Sequence, residues 1–412
     1  MQAILGIGFL LALTWACGES RRDVRWRPVA IGLAIQFALA FLLLKVPVFS
    51  ESLLLLNYFV VLIGTATTAG TSFVFGYVGG GDSPFAVGEN SLLYIFAFRV
   101  LPQILVFSVL VAVFWYWRVL PIVIRAFGAV LKRSLGVSGA VGTAAASSVF
   151  LGMVETPLVI RGYLKSLSRS ELFTVMTCGM STVAGSIMVF YASVLQDVIP
   201  GALGHILIAS IINVLGAVYI SRIMIPPGDD DEEGELTGGL SYSSHMDAIT
   251  RGTHDGLRLV ANVGAMLIVL VSLVALVNLV LGNILVADAP LTLERLMGWV
   301  FSPVAWLIGI PWQEAQVAGS LLGTKLVLNE LLAYLQMAAL PDDALGSHSR
   351  LVMTYALCGF ANFGSLGILL GGLNTLVPER REELLDIGPK ALISSTIVAF
   401  NTGAIVALVN FF

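Results

Sequence analysis

Ser148-Val149-Phe150-Leu151-Gly152-Met153-Val154-Glu155-Thr156-Pro157-Leu158-Val159-Ile160-Arg161-Gly162-Tyr163 is an apolar stretch with a single carboxylate, Glu155, between Gly152 and Pro157. Glycine weakens a helix, and proline removes an N–H and clashes with the preceding turn, so a continuous helix breaks here. A carboxylate in a broken apolar helix is costly to bury and reads first as a functional site.

The surrounding chain explains why that cost matters. Of 412 residues, 57% are hydrophobic and 12% charged, against about 25% charged in soluble domains. The apolar residues fall in long uncharged runs suited to a hydrocarbon core ~30 Å thick. A net charge of -4 with no clustered basic face gives no case for nucleic acid. Cys17, Cys178 and Cys358 sit at unrelated spacings, which fits packing rather than a disulfide framework or metal site. His205, His245, His254 and His348 show no metal spacing either. The run Met1–Cys17 lacks a basic leader and a cleavage site, so it reads as a first membrane helix rather than a signal peptide.

Eight segments are expected to span: 1–17, 29–47, 92–117, 172–195, 203–225, 259–286, 351–377 and 390–412. Residues 52–63 and 119–131 are apolar but too short to cross and read as interfacial or half-membrane segments, while Met246–Leu259 mixes charges with apolar positions and reads as an interfacial amphipathic helix. Arg21, Arg22, Arg25 and Arg27 crowd the first connection, and Arg380, Arg381 and Lys390 the last. The positive-inside rule places both in the cytoplasm of a cell-membrane protein, with both termini periplasmic or extracellular. Lys132 and Arg133 fit this orientation less clearly. The acidic run Asp229-Asp230-Asp231-Glu232-Glu233 after Pro226-Pro227-Gly228 separates two halves.

Regions 138–167 and 311–340 are rich in Gly, Ala, Ser and Thr, and each carries a glutamate mid-run, Glu155 and Glu330. Each is long enough for a re-entrant hairpin, and non-helical backbone at membrane depth is tolerated only where it is buried or lines a cavity. Two such regions in a two-half chain point to a substrate site between repeats. An internal echo agrees: Gly179-Met180-Ser181-Thr182-Val183-Ala184-Gly185-Ser186 follows the first hairpin and Gly359-Phe360-Ala361-Asn362-Phe363-Gly364-Ser365 the second. The expected fold is all-α and polytopic, with about eight spans, two hairpins and an internal repeat. Its divisions are 1–137 (largely scaffold), 138–225, 226–258, 259–310 and 311–412.

Two readings of the glutamates stand side by side. Each is satisfied by a buried cation in a structural ion pair, Lys325 being the candidate, or both face one cavity and bind a polar ligand, cation or proton. Asn329 brings an amide beside Glu330. Asn362 and Ser365 lie three apart, hence on one helix face, as polar lining or as helix–helix glue. No nucleophile elbow, P-loop or zinc-protease motif is present, so the chain reads as a non-enzyme with no cofactor.

These residues resemble a known family. Gly152-Met153-Val154-Glu155-Thr156-Pro157-Leu158 is similar to the G-Q-T-E-[AS]-P-L hairpin of the concentrative nucleoside transporters. Asn329-Glu330-Leu331-Leu332-Ala333-Tyr334 resembles their N-E-F-V-A-Y motif, and Gly359–Ser365 their G-F-A-N-x-[SG]-S helix. Phe96-Ala97-Phe98-Arg99-Val100-Leu101-Pro102 is similar to their third span. The resemblance runs from about residue 90 to 410. It implies a homotrimer in the lipid bilayer, with an elevator movement driven by an ion gradient. It implies ribose binding by Glu330, Asn362 and Ser365, base binding by Glu155, and packing by Phe360 and Ile187.

Two departures stand out. The family's base-binding Gln and Thr are Met153 and Val154 here, so recognition rests more on shape than on hydrogen bonds. Purine nucleosides, or a modified or non-nucleoside ligand such as a nucleobase, become candidates. The Asn that sodium-coupled members place at the start of the hairpin break is Ser148. Of the other implied sodium positions, Leu151, Thr182 and Val183, two offer only backbone carbonyls. The coupling ion is then expected to be a proton rather than sodium, taken up by Glu155, because burial disfavours a charged carboxylate. Receptor and intramembrane-enzyme readings stay as the rival class.

Overall fold

The computed structural model describes residues 1–85, 95–153, 155–196, 198–228, 241–286 and 289–411. Val154 and the acidic run from Asp229 to Glu233 therefore lie outside the described residues. The chain opens with α1 (Gln2–Ala16), α2 (Trp26–Lys45) and α3 (Pro47–Phe75). Here 52–63 is not a short interfacial piece but part of one 29-residue helix. Thr65, Thr67 and Thr68 return their hydroxyls to the carbonyls of Val61, Ile63 and Gly64. These polar side chains are thus satisfied inside the helix and do not end it.

Seven elements follow: α4 (Phe96–Arg99), α5 (Leu101–Tyr116), α6 (Val119–Leu135), α7 (Gly139–Ser147), α8 (Glu155–Val159), α9 (Arg169–Ser181) and α10 (Gly185–Leu195). The expected span 172–195 is thus two helices with a break. Its start is fixed by a capping box, in which Ser168 Oγ accepts from the Glu171 amide and Glu171 Oε2 accepts from the Ser168 amide. Next come α11 (Ala202–Met224) and α12 (His245–Leu281). The interfacial stretch expected before residue 259 is instead continuous with its span. Ser244 caps the Asp247 amide and Arg251 pairs with Asp247 at 2.8 Å, which carries the charged start as regular helix.

After a two-residue antiparallel pair, Leu285–Val286 with Ala289–Pro290, the second half runs through α13 (Leu293–Leu307), α14 (Trp312–Val327), α15 (Glu330–Ala338), α16 (Ser347–Leu357), α17 (Phe363–Leu376) and α18 (Arg381–Phe411). The order repeats: span, short amphipathic helix, helix–break–helix, broken span, long helix, once as α5–α11 and again as α12–α18. Both expected hairpins are present as α7/α8 and α14/α15. Among the described residues seven helices are long and apolar enough to cross a membrane, or eight if α13 and α14, bent by 118°, count as one. Of the expected spans, 1–17 is the shorter α1 and 351–377 is broken into α16 and α17, while Val61–Gly79 is a span outside those expected.

The core sits where α9, α10, α11, α16 and α18 meet; these helices are buried almost throughout. Helices α1 and α2 pack on α11 and α18. Helices α5 and α12 form a separate pair, in which Gly252 and Gly256 bring α12 so close that a Cβ would stand 2.9 Å from Val109 Cα and 3.0 Å from Leu105 Cα. The outer face of α12 exposes Ile268, Leu276, Leu279 and Val280. An apolar face this long marks contact with lipid or another subunit.

Candidate substrate site

The two broken spans cross at their breaks. The Phe360 amide donates to the Thr182 carbonyl at 3.3 Å. Asn213, fully buried on α11, donates through Nδ2 to the carbonyls of Ser181 (2.7 Å) and Cys358 (3.3 Å), one in each break. Gly359 has φ +119°, and a Cβ there would lie 2.6 Å from the Ser181 oxygen, so only glycine fits. The buried Lys325 donates to the Ala356 carbonyl at 2.9 Å, at the end of α16. Helix ends leave carbonyls without intrahelical partners, and these four contacts satisfy them inside the packed core.

The hairpin breaks dock beside that crossing. The Gly185 amide, first residue of α10, donates to the Phe150 carbonyl at 2.9 Å, joining the first hairpin tip to the α9/α10 break. Glu155 and Glu330 are each the first residue of a return helix, α8 and α15. The positive end of the helix dipole favours a carboxylate there.

Glu330 is the centre of the polar cluster. Its Oε1 accepts from the Tyr191 hydroxyl at 2.5 Å and its Oε2 from Asn362 Nδ2 at 2.9 Å. A carboxylate offers about four lone-pair positions, so the pair leaves capacity for ligand hydroxyls. Asn362 is the N-cap of α17, its Oδ1 accepting from the Ser365 amide at 2.8 Å. Asn362 and Ser365 are therefore cap and first-turn partners rather than neighbours on one helix face. Asn329 caps α15 in the same way, accepting from the Leu332 amide at 2.9 Å. The Tyr191 and Tyr334 rings lie 5.1 Å apart, and Tyr334 donates to the Thr354 carbonyl at 2.8 Å, so the wall behind Glu330 is fixed.

Glu155 is placed differently. It is exposed, and its Oε2 accepts from the Gly152 amide within its own hairpin. The half-buried Tyr242, before α12, has its phenol pushed up by burial first and then by the carboxylates of Asp255 and Glu155. Glu155 thus faces the α12 side. Glu155 and Glu330 share no hydrogen bond. The ion pair considered for Lys325 and Glu330 does not form: Lys325 caps a helix end, and Glu330 is held by neutral donors.

The other expected site residues line the docking of tip onto break. Met153 packs on Gly179, where a Cβ would stand 3.4 Å from its own. Ile187 is buried on α10, and Phe360 is half-buried in the second break. Ser148 and Leu151 lie on the tip, with Thr182 and Val183 on the break, and all four are buried. The hydroxyls of Ser148 and Thr182 donate to the carbonyls of Ala145 (2.8 Å) and Cys178 (3.1 Å). Sequence reasoning missed Tyr191 and Asn213. A polar residue inside an apolar span was the available signal for each.

Comparison with known proteins agrees along the whole chain. Family models described as the Na+ dependent nucleoside transporter N-terminus, nucleoside recognition (gate) and the Na+ dependent nucleoside transporter C-terminus match residues 5–78, 97–197 and 205–407. An uncharacterized transporter, YutK of Bacillus subtilis, is 36% identical over 99% of both chains. The nucleoside permease NupC of Helicobacter pylori is 32% identical over 98% of this chain and 97% of its own. The structure of CNTnw in an inward-facing substrate-bound state superposes with a TM-score of 0.89 at 34% identity, covering 99% of this chain and 98% of that one. With the hairpin carboxylates, crossed breaks and repeated halves in place, this multi-pass membrane chain belongs to the concentrative nucleoside transporter family.

Proposed function

We propose that the protein is a secondary active symporter that imports nucleosides across the cytoplasmic membrane, driven by a proton gradient. The observation that carries the substrate assignment is Glu330, buried and held between Tyr191 and Asn362 with lone pairs to spare. In this reading Glu330 accepts hydrogen bonds from the ribose hydroxyls, with Asn362 and Ser365 beside it. The base lies toward Glu155, Met153 and Val154, with Phe360 and Ile187 against it and Asn329 fixing the start of α15. Two apolar residues next to Glu155 favour selection by shape.

Proton coupling is supported by the chemistry at the tip. Leu151 and Val183 add no side-chain oxygen, and Ser148 and Thr182 bring only neutral hydroxyls, so these four residues hold no side-chain amide or carboxylate for a cation. Glu155 is the carboxylate nearest this group along the hairpin. Sodium is the rival, since the matching family models carry it in their description. The α5/α12 pair and α3 form the static part in a homotrimer, and the body of α7–α11 and α14–α18, carrying both hairpins, moves as an elevator. The loop after α1 and the start of α18 share one arginine-rich face, joined by the Lys390–Glu19 contact at 2.6 Å. That face is the cytoplasmic one, with both termini outside.

Uptake into proteoliposomes under an imposed proton or sodium gradient, across a nucleoside panel with free bases and ribose as competitors, tests this. Proton-driven uptake of nucleosides, lost in Glu155→Gln, is expected. Uptake that follows sodium at fixed pH removes the proton assignment. Competition by free bases at nucleoside-like concentrations makes the protein a nucleobase transporter, and no counterflow of any of them removes the transport reading.

A further inference from the structure

A cavity of about 180 Å³ lies away from the substrate site, where the start of α2, the end of α6 and the end of α11 meet. Its wall includes Arg25, Pro28, Gly136, Tyr219 and Arg222, and no carboxylate among the described residues lines it. Arg222 is set in its wall by donating Nη1 to the Leu135 carbonyl (2.7 Å) and Nη2 to the Gly136 carbonyl (3.0 Å). Arg25 approaches from the N-cap of α2, and Lys132 and Arg133 stand exposed one turn before Gly136.

The helix leading to this cavity is built for an interface. Along α6, Val119, Ile122, Val123 and Val130 are exposed beside Arg125, Lys132 and Arg133. A short helix with one apolar and one cationic face lies in the headgroup plane. It is also joined to the first hairpin: at the α6/α7 crossing, a Cβ on Gly128 would be 3.1 Å from the Gly142 oxygen, and one on Gly142 3.0 Å from the Gly128 oxygen.

We propose that this cavity binds the headgroup phosphate of an anionic phospholipid, with the acyl chains beside the apolar face of α6. Basic pockets between membrane helices accept anionic headgroups, and guanidinium groups match phosphate oxygens in geometry. Bound lipid ties α2, α6 and α11 together at the interface and steadies the base of the first hairpin. The acidic run beginning at Asp229 follows directly on Gly228 in the sequence, so the chain itself carries a rival anion.

The test uses the full-length protein in zwitterionic micelles, titrated with phosphatidylglycerol, phosphatidylcholine or inorganic phosphate. Lipid retention is read by native mass spectrometry and the unfolding midpoint by intrinsic fluorescence. Phosphatidylglycerol is expected to be retained and to raise the midpoint. Arg25→Gln should weaken retention about fivefold, Arg25→Lys less, and Arg22→Gln, outside the cavity wall, not at all. Equal retention by Arg25→Gln, equal protection by phosphatidylcholine, or full protection by inorganic phosphate alone each overturns the proposal. So does lipid binding that appears only when residues 229–233 are changed to Asn and Gln.

Discussion

The Tyr191 hydroxyl lies 2.5 Å from Oε1 of Glu330, although 139 residues separate the two along the chain. Tyr191 belongs to the broken span of the first half and Glu330 to the hairpin of the second. The carboxylate is thus oriented only when the two halves dock. Asn362, from the second broken span, holds its other oxygen at 2.9 Å. A ligand accepted by Glu330 reads a geometry that neither half has alone.

Tyr191→Phe removes one of these two donors and keeps the ring that packs, tilted, against Tyr334. A hydrogen bond to a charged group contributes about 1.5–3 kcal/mol, so KM for nucleoside uptake should rise at least about tenfold. Glu330→Gln should abolish saturable uptake. Wild-type KM in Tyr191→Phe, measured in proteoliposomes, would show that Glu330 is positioned by other means.

Asn213→Ala should be among the most damaging substitutions outside the ligand contacts. It leaves the buried carbonyls of Ser181 and Cys358 without their shared donor. At about 1–3 kcal/mol per buried unsatisfied group, the unfolding midpoint should fall by several degrees and uptake should collapse. Asn213→Asp, which has no N–H to donate, should behave the same way; a midpoint unchanged in both variants refutes the account.

Gly359→Ala meets both a left-handed backbone at φ +119° and the Ser181 oxygen 2.6 Å away. Loss of folded, transport-competent protein is expected. Gly367→Ala and Gly371→Ala, on α17 with nothing within 4 Å of an added Cβ, should instead raise stability by about 0.5–1 kcal/mol. Comparing midpoints of the three variants distinguishes a positional requirement from a general intolerance of bulk.

At the arginine-rich face, Glu19 accepts from Arg169 at 2.7 Å and from Lys390 at 2.6 Å. Arg169 also pairs with Asp386. Arg169 foremost, then Lys390, holds the Glu19 carboxyl down to about 2 from its ordinary 4.5. Folding lowers this pKa, so its contribution is complete above pH 4.5 and is lost as the pH falls through about 2. Partial exposure limits it to about 1 kcal/mol. Glu19→Gln should lower the midpoint at pH 7, and its difference from wild type should shrink between pH 4.5 and 2. A difference constant over that window would exclude the ion cluster as its source.

Much of the site was legible because membrane sequences punish certain residues. A glutamate beside Gly and Pro in an apolar run has few structural uses, and Glu155 and Glu330 both open return helices. The echo at Gly179–Ser186 and Gly359–Ser365 marked both breaks, since unwound backbone needs small residues and caps. Less legible were the limits of elements. Hydropathy ends 52–63 at the following threonines and divides 246–286 at its charges. Hydroxyls that return to helical carbonyls, and the Asp247–Arg251 pair, keep α3 and α12 continuous.

The sequence by itself determined the repeated order of elements, the two hairpins and their carboxylates, because composition and spacing are local properties. Only the tertiary structure decided which polar groups meet. Lys325 turned out to cap α16 and not to neutralise Glu330, while Tyr191 and Asn213 became the donors that orient the site and bind its breaks. Such pairings join residues tens to hundreds apart. In an apolar interior each buried donor must find an acceptor wherever the packed helices bring one.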